Sequence, residues 1–186
     1  MMRLLKGTLK GKHLPPHDAW VRPTSAFRRE MIFNRLAHAA GFKPLEESHV
    51  LDLFAGTGAL GLEAFSRGAA HVTLVEKDPL THKKLRQFLT AHHLEKAVDL
   101  LLADACHLPP LPPLSAKADL CFLDAPYHKN LIPQALDSLH QKGWLAPKAH
   151  LIAEIDHKED CPLPGWVTLT HERQKGRTRV LFLQKT

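Results

Sequence analysis

The sequence predicts an α/β fold with a largely parallel sheet, and three observations carry that prediction. Strand-like and helix-like segments alternate from about residue 49 onward. The first strand-like run ends in a glycine-rich turn that opens a helix. The stretch from Lys158 to Gly165 is too short and too proline-broken for a long helix, which predicts that the last two strand-like runs form an antiparallel hairpin. The expected strands are His49–Phe54, His71–Glu76, Val98–Leu102, Ala118–Asp124, His150–Ile155, Trp166–His171 and Thr178–Leu183. Helices are expected at Gly58–Arg67, Pro79–His92 and Leu131–Gln141, with Pro79 and Pro133 near helix starts, where proline is tolerated. The hairpin should turn at Gln174-Lys175-Gly176-Arg177. Pro109 to Pro113 reads as a stiff surface link in place of a further crossover helix.

The first 48 residues differ in character and are assigned to a basic N-terminal extension, with residues 49–186 as the main domain. Gly7-Thr8-Leu9-Lys10-Gly11-Lys12 reads as short extended chain with basic side chains, part of a hairpin-like segment. Thr24 or Ser25 can cap a helix from about Ala26 to Ala40, with Phe27, Met31, Phe33, Leu36 and Ala40 on a partly apolar face. This extension carries Lys6, Lys10, Lys12, Arg22, Arg28, Arg29 and Arg35. It is read as a phosphate-contacting arm in preference to a solvated cover.

Composition narrows the class. The 186 residues, 44% hydrophobic, suit one domain with a substantial core. A formal charge of +6 fits a polyanionic partner. The three cysteines have no CxxC spacing, which points to reduced thiols in a cytoplasmic protein. The N-terminus lacks the long apolar stretch of a secretion signal, and no run is long enough to span a bilayer. The histidines are scattered, and adjacent His92-His93 point apart on a helix, so no metal site is expected.

Val50-Leu51-Asp52-Leu53-Phe54-Ala55-Gly56-Thr57-Gly58-Ala59-Leu60-Gly61 is a strand, a glycine turn and a helix start. Gly56-x-Gly58-x-x-Gly61 matches the dinucleotide fingerprint, and Glu76 lies about 20 residues beyond the first glycine. Two acids argue against a dinucleotide. Asp52, inside the first strand, would oppose a pyrophosphate but suits a cofactor with an ammonium group. Asp104, followed by Ala105 after the third strand, can accept from an adenine amino group while Glu76 holds the ribose hydroxyls. S-adenosylmethionine (SAM) carries amine, ribose and adenine without phosphate. The competing reading of Asp52 and Asp104 is turn and cap chemistry.

The second chemical motif is Asp124-Ala125-Pro126-Tyr127, which follows the apolar run Leu120–Leu123. It presents an acid, a backbone carbonyl and an aromatic face at one strand end. Pro126 pushes Ala125 to extended geometry and so gives that carbonyl a defined aim. The set suits a flat, amine-bearing ring.

With these motifs the chain resembles a class I SAM-dependent methyltransferase, and within that class the RsmD family, which methylates N2 of a guanine in bacterial 16S ribosomal RNA. The resemblance spans Arg22-Pro23-Thr24 with Arg29-Glu30 and Phe33-Asn34, the block Asp52–Ala64 with Ser66–Ala69, and Val75–Asp78. It continues through Asp124–Tyr127, Gly143–Pro147 and Gly176-x-Thr178-Arg179-Val180. It implies a Rossmann-like, seven-stranded, mostly parallel sheet. SAM is the implied cofactor, without a metal. Its implied contacts are Asp52, Phe54, Ala55, Gly56, Thr57, Gly58, Glu76, Lys77, Asp104, Ala105 and Asp124. Asp124, Ala125, Pro126 and Tyr127 are the implied catalytic set, and Lys10, Lys12, Arg22 and Arg29 the expected RNA contacts. The implied substrate is 16S rRNA in the 30S subunit or an assembly intermediate, met by a monomeric cytoplasmic enzyme with no membrane partner.

Two departures stand out. The family usually has Asp-Pro-Pro-Tyr or Asp-Pro-Pro-Phe, where this chain has Ala125. It often has Asp-Arg after Arg-Pro-Thr, where this chain has Ala26-Phe27. Alanine keeps the carbonyl and loses only a φ restraint, so an active enzyme is expected. The competing readings are an amino-methyltransferase acting on DNA adenine or another RNA base, a non-catalytic RNA-binding protein, and an NAD-linked oxidoreductase.

Overall fold

A computed structural model of the chain describes residues 2–16 and 25–186. Its seven strands form one sheet in the order β3-β2-β1-β4-β5-β7-β6. They are β1 (His49–Asp52), β2 (His71–Glu76), β3 (Val98–Leu102), β4 (Ala118–Leu123), β5 (Leu145–Asp156), β6 (Val167–Lys175) and β7 (Thr178–Lys185). The first five pair in parallel, and β7 runs antiparallel to both β5 and β6. The helices are α1 (Ala26–Leu36), α2 (Ala59–Ser66), α3 (Pro79–Ala91) and α4 (Leu131–Gln141).

Continuous apolar strands are what a sheet covered on both faces needs. One face buries Val50, Val72, Leu74, Leu120 and Phe122 against Leu62 of α2, Leu85 of α3 and Ile32 and Phe33 of α1. The other buries Leu51, Val75, Cys121 and Leu123 against Ile132, Leu136 and Leu139 of α4. Neighbouring residues of one strand thus serve opposite layers, as the pleat requires. Leu4 and Leu14 of the N-terminal segment belong to the α2 layer.

The expected elements are present, with shifted ends. α1 stops at Leu36 rather than Ala40, because its last turn tightens: the His38 and Ala39 amides donate to the carbonyls of Arg35 and Leu36. Its start is capped by Ser25, whose side chain accepts from the Arg28 amide. β5 begins five residues earlier than expected, running through Pro147. The register there shifts between Ala118↔Leu145 and Leu120↔His150, so a bulge absorbs the proline and left-handed Lys148. The hairpin closes as expected, with Lys175 opposite Thr178 and only Gly176-Arg177 between them.

The basic run Gly7–Lys12 departs from expectation: it is a turn, not extended chain. The turn docks on the C-terminal end of α2, where the Thr8 amide donates to the Ser66 carbonyl at 2.7 Å. A Cβ on Gly7 would fall 1.4 Å from that same oxygen, so only glycine permits the approach. Around it, Arg3 and His13 form an antiparallel bridge.

Candidate active site

The strand order reverses between β1 and β4, and in open α/β sheets ligands bind outside the carboxyl ends of strands at such a point. A cavity of about 650 Å³ opens there. Its wall takes Asp52 to Thr57 from the end of β1 and its turn, and Glu76 to Asp78 from the end of β2. Ala103 and Ala105 come from beyond β3, and Asp124 to Tyr127 from beyond β4. Most of the expected cofactor positions and all four residues of the second motif therefore share one space.

The glycine turn has two kinds of glycine. At Gly61 a Cβ would meet the Leu74 side chain at 2.4 Å, so this position serves packing between α2 and β2. At Gly56, with φ +52°, the nearest atom to an added Cβ is 3.9 Å away. Gly56 therefore leaves open the space through which a ligand can approach. Gly58 caps α2 from beneath and does not line the cavity.

Asp52 is buried, at 1% exposure. Its Oδ2 accepts from the Gly61 amide at 2.9 Å, while Oδ1 has no hydrogen-bond partner, the Phe54 amide acting only as a nearby dipole. Burial pushes its pKa up to about 7; the Gly61 bond opposes this, and the charges of Asp124 and Glu76 reinforce it. Glu76 accepts from the Gly56 amide through Oε2 at 2.9 Å and from the Asp78 amide through Oε1 at 2.8 Å. A carboxylate has about four acceptor positions, so each oxygen retains one for a ligand hydroxyl. Asp52, Glu76, Asp78 and Asp124 all line this one cavity, and four carboxyl groups there favour a cationic ligand.

Beyond β4, Ala125 is buried among the α4-side residues and Asp124 is half-buried. Tyr127 is tied to the far side of the sheet. Its hydroxyl lies 3.1 Å from Thr178 Oγ1, which accepts from Arg28 Nη1 at 2.7 Å. Arg28 Nε is 3.4 Å from a carboxylate oxygen of Glu154, a buried acid in β5. Burial pushes the Tyr127 phenol above its ordinary pKa, against the Thr178 hydrogen bond. It stays neutral through the physiological range.

Arg28, Glu154 and Thr178 lay outside the expected site. Glu154 had a visible signal, a carboxylate in the middle of the apolar run Leu151–Ile155. Arg28 and Thr178 had none beyond membership in a basic helix and a closing turn.

Asp104 caps a short 3₁₀ turn, accepting from the Cys106 amide at 2.9 Å. That bond holds its carboxyl below the usual range; Asp104 lies between the cavity-lining Ala103 and Ala105 in sequence without lining the cavity itself. Lys77 lines the rim and is exposed.

The expected RNA contacts divide. Arg29 is corrected: it is 1% exposed, and its Nη2 donates to the Arg3 carbonyl at 2.7 Å. Desolvation lowers its pKa, against the nearby charge of Glu63. Glu63, fully buried, also accepts from the amides of Leu5 and Lys6 and from Arg67 Nε. Arg29 is thus a clamp that fastens the N-terminal turn to α2. Lys10 and Lys12 are exposed on that turn. Arg22 lies outside the described residues, as does Thr24. Among the described residues no group of three or more His, Cys, Asp or Glu is placed to hold a metal ion, and no helix is long and apolar enough to cross a membrane.

Comparison with known proteins gives this geometry a family. The model described as conserved hypothetical protein 95 matches residues 2–184. Ribosomal RNA small subunit methyltransferase D of Escherichia coli strain K12 is 31% identical over 186 residues, covering 99% of this chain and 90% of its own length. The protein of the same name from Haemophilus influenzae is 31% identical over 177 residues, covering 94% of this chain and 89% of its own. Among solved structures, the putative methyltransferase yhhF from Escherichia coli matches with a TM-score of 0.83 at 28% identity, covering 99% of this chain and 97% of the other. With an acidic cavity at the switch point and an Asp-X-Pro-Tyr strand end, the chain belongs to the conserved hypothetical protein 95 family, the RsmD family, and is a methyltransferase.

Proposed function

We propose that the chain transfers a methyl group from SAM to the exocyclic N2 of a guanine in 16S rRNA of the small ribosomal subunit. The observation that carries this reading is the convergence of Asp52, Glu76, Asp124 and Tyr127 on one cavity. The names of the relatives support the rRNA part.

The residues fit the cofactor. Asp52 Oδ1 is an orphaned buried acceptor suited to an ammonium group, directly or through water. Glu76 keeps acceptor capacity for two ribose hydroxyls, and Gly56 gives the ligand room. Ala105 lies where the adenine side of the cavity would be, with Asp104 next to it in sequence and Lys77 at the rim. When bound, SAM supplies an electrophilic methyl group on an already cationic sulfur.

The chain does the rest by positioning. Guanine N2 is a poor nucleophile because its lone pair is delocalised into the ring. The Asp124 carboxylate and the Ala125 carbonyl accept its two N–H groups and favour pyramidal nitrogen as the methyl approaches. As the N–C bond forms the S–C bond would break, S-adenosylhomocysteine would leave as a neutral thioether, and the surplus proton on N2 would pass to the Asp124 carboxylate or to water. Orientation of this kind contributes more than a strong base could. Tyr127 stacks on the base, worth about 1–3 kcal/mol. That offsets the few kcal/mol of drawing a stacked nucleotide out. The three free thiols, Cys106, Cys121 and Cys161, suit a reducing cytoplasm. The working form is taken as a monomer meeting the 30S subunit or a precursor of it.

The test is label transfer from methyl-labelled SAM to small subunits that lack the modification, followed by mapping of the methylated base. Label at a guanine N2 supports the proposal. Label only in DNA or protein, or at another base, refutes it.

A further inference from the structure

We propose that the β6–β7 turn, the start of α1 and the residues following Tyr127 form the surface that docks the RNA strand flanking the target nucleotide. This rests on the RNA reading above. It moves the phosphate contacts from the N-terminal arm to the rim of the cavity.

The rim is built, not incidental. Thr178, the first residue of β7, hydrogen-bonds both Tyr127 and Arg28, so the preceding turn abuts the cavity wall. Asp156, at 1% exposure, ties the turn to the strand-end loop. Its carboxylate lies 3.7 Å from Arg177 Nε and 3.8 Å from His128 Nε2, with His157 Nδ1 at 3.2 Å. On the other side, Lys175 Nζ sits 3.3 Å from the centroid of the Phe27 ring. That cation–π contact pins the charge beside the aromatic surface. Phe27 itself remains 56% exposed, a large apolar ring next in sequence to the cavity-lining Arg28. Lys129 is exposed and lines the cavity.

The nearby acids offset this charge only in part. Asp156 pairs with Arg177, whose side chain nevertheless stays 68% exposed, and Glu172 is held by Arg179 Nε at 2.7 Å and Nη2 at 3.2 Å. Glu30, on α1, faces Lys6 at 3.4 Å. Lys129, Lys175 and the exposed Arg177, with the partly exposed Phe27 ring, beside a pocket for a flat base match an unstacked strand, whose phosphates seek cations and whose bases seek aromatic faces. Lys10 is placed differently. Its turn docks at the C-terminal end of α2, while the cavity lies at the N-terminal end, about 12 Å away along the helix axis.

The experiment is filter binding of radiolabelled 16S rRNA across a salt series. It compares wild type with a Lys175→Ala/Arg177→Ala double variant, Phe27→Ala, and a Lys10→Ala/Lys12→Ala double variant. Thermal shift with SAM confirms that each variant is folded with its cofactor site intact. Each phosphate contact on a single strand contributes about 0.7 to the slope of log affinity against log salt, so the rim double variant should lose about 1.4. Phe27→Ala should weaken binding about fivefold or more at fixed salt. The Lys10/Lys12 variant should bind as wild type does. An unchanged slope in the rim variant, a loss confined to Lys10/Lys12, or a wild type that binds no rRNA would overturn the proposal. Rim-dependent binding with label at a base other than guanine would leave the surface standing and refute only the guanine assignment.

Discussion

Replacing Asp52 with asparagine should stabilise the ligand-free protein at pH 8, although it removes a charged group from the active site. The carboxyl is fully buried, and its pKa rises from 3.8 to about 7, chiefly by desolvation. An acid raised in this way binds more protons folded than unfolded, so stability falls as pH rises between those values and the cost is complete above about 7. At about 1.36 kcal/mol per pH unit the interval corresponds to about 4 kcal/mol. Asparagine keeps an oxygen for the Gly61 amide, so the main change is loss of the buried charge. Urea denaturation of wild type and Asp52→Asn should give similar stability at pH 4 and a widening advantage for the variant up to pH 8. SAM affinity of the wild type should rise through pH 7, by up to about tenfold per unit below the pKa, and the variant should lose that dependence. If the variant is less stable by a constant amount at every pH, Asp52 has an ordinary pKa and serves only as a hydrogen-bond acceptor.

Three further outcomes follow from the same contacts. Arg29→Met should cost about 1.5–3 kcal/mol by removing the charged hydrogen bond to the Arg3 carbonyl, Glu63 keeping Arg67 as its partner, seen as a lower denaturation midpoint with an unchanged salt slope for rRNA; a lower slope at full stability would return Arg29 to the RNA interface. Glu76→Gln should weaken SAM about tenfold to hundredfold, because charge-assisted hydrogen bonds of about 1.5–3 kcal/mol are lost; calorimetry showing equal affinity would remove Glu76 from the cofactor site. Thr178→Val should lower kcat with little change in SAM affinity, and Ala125→Pro added to it should recover part of the loss in single-turnover methylation. A double variant no better than Thr178→Val would disconnect the two positions.

Much of the fold was legible because periodicity and punctuation agreed along the chain. β2, β3 and α4 occupy the residues expected of them, since each is an apolar run bounded by turn residues. The cavity was legible for the same reason: Asp52 and Glu76 end β1 and β2, Asp124 directly follows β4, and a parallel sheet gathers the ends of these neighbouring strands on one edge. What stayed hidden was long-range. Arg29 reads as one more cation of a basic helix, and only the docking of residues 3–6 beside Glu63 makes it interior. Asp104 also caps the turn after β3, accepting from the Cys106 amide through one oxygen, a local role that the sequence offered beside the cofactor one. Arg28, Glu154 and Thr178 come from three distant segments, and no local pattern announces that they meet.

That meeting bears on the alanine where the family usually has proline. Removing the ring from position 125 frees φ there, a loss of about 0.4–1 kcal/mol of restraint on the unfolded chain. Pro126 restrains Ala125 from its other side, and Ala125 is packed at 5% exposure against the α4 layer. The side chain that must be aimed is Tyr127, two residues on. Its hydroxyl is fixed by Thr178, which is fixed in turn by Arg28 and the buried Glu154. A single hydrogen bond of this kind contributes about 0.5–1.5 kcal/mol, comparable to the restraint that alanine forgoes. The aromatic platform is therefore held from the β7 side and does not depend on a second proline in the strand-end loop. The same link makes Arg28, at the start of α1, part of the cavity wall beside Tyr127.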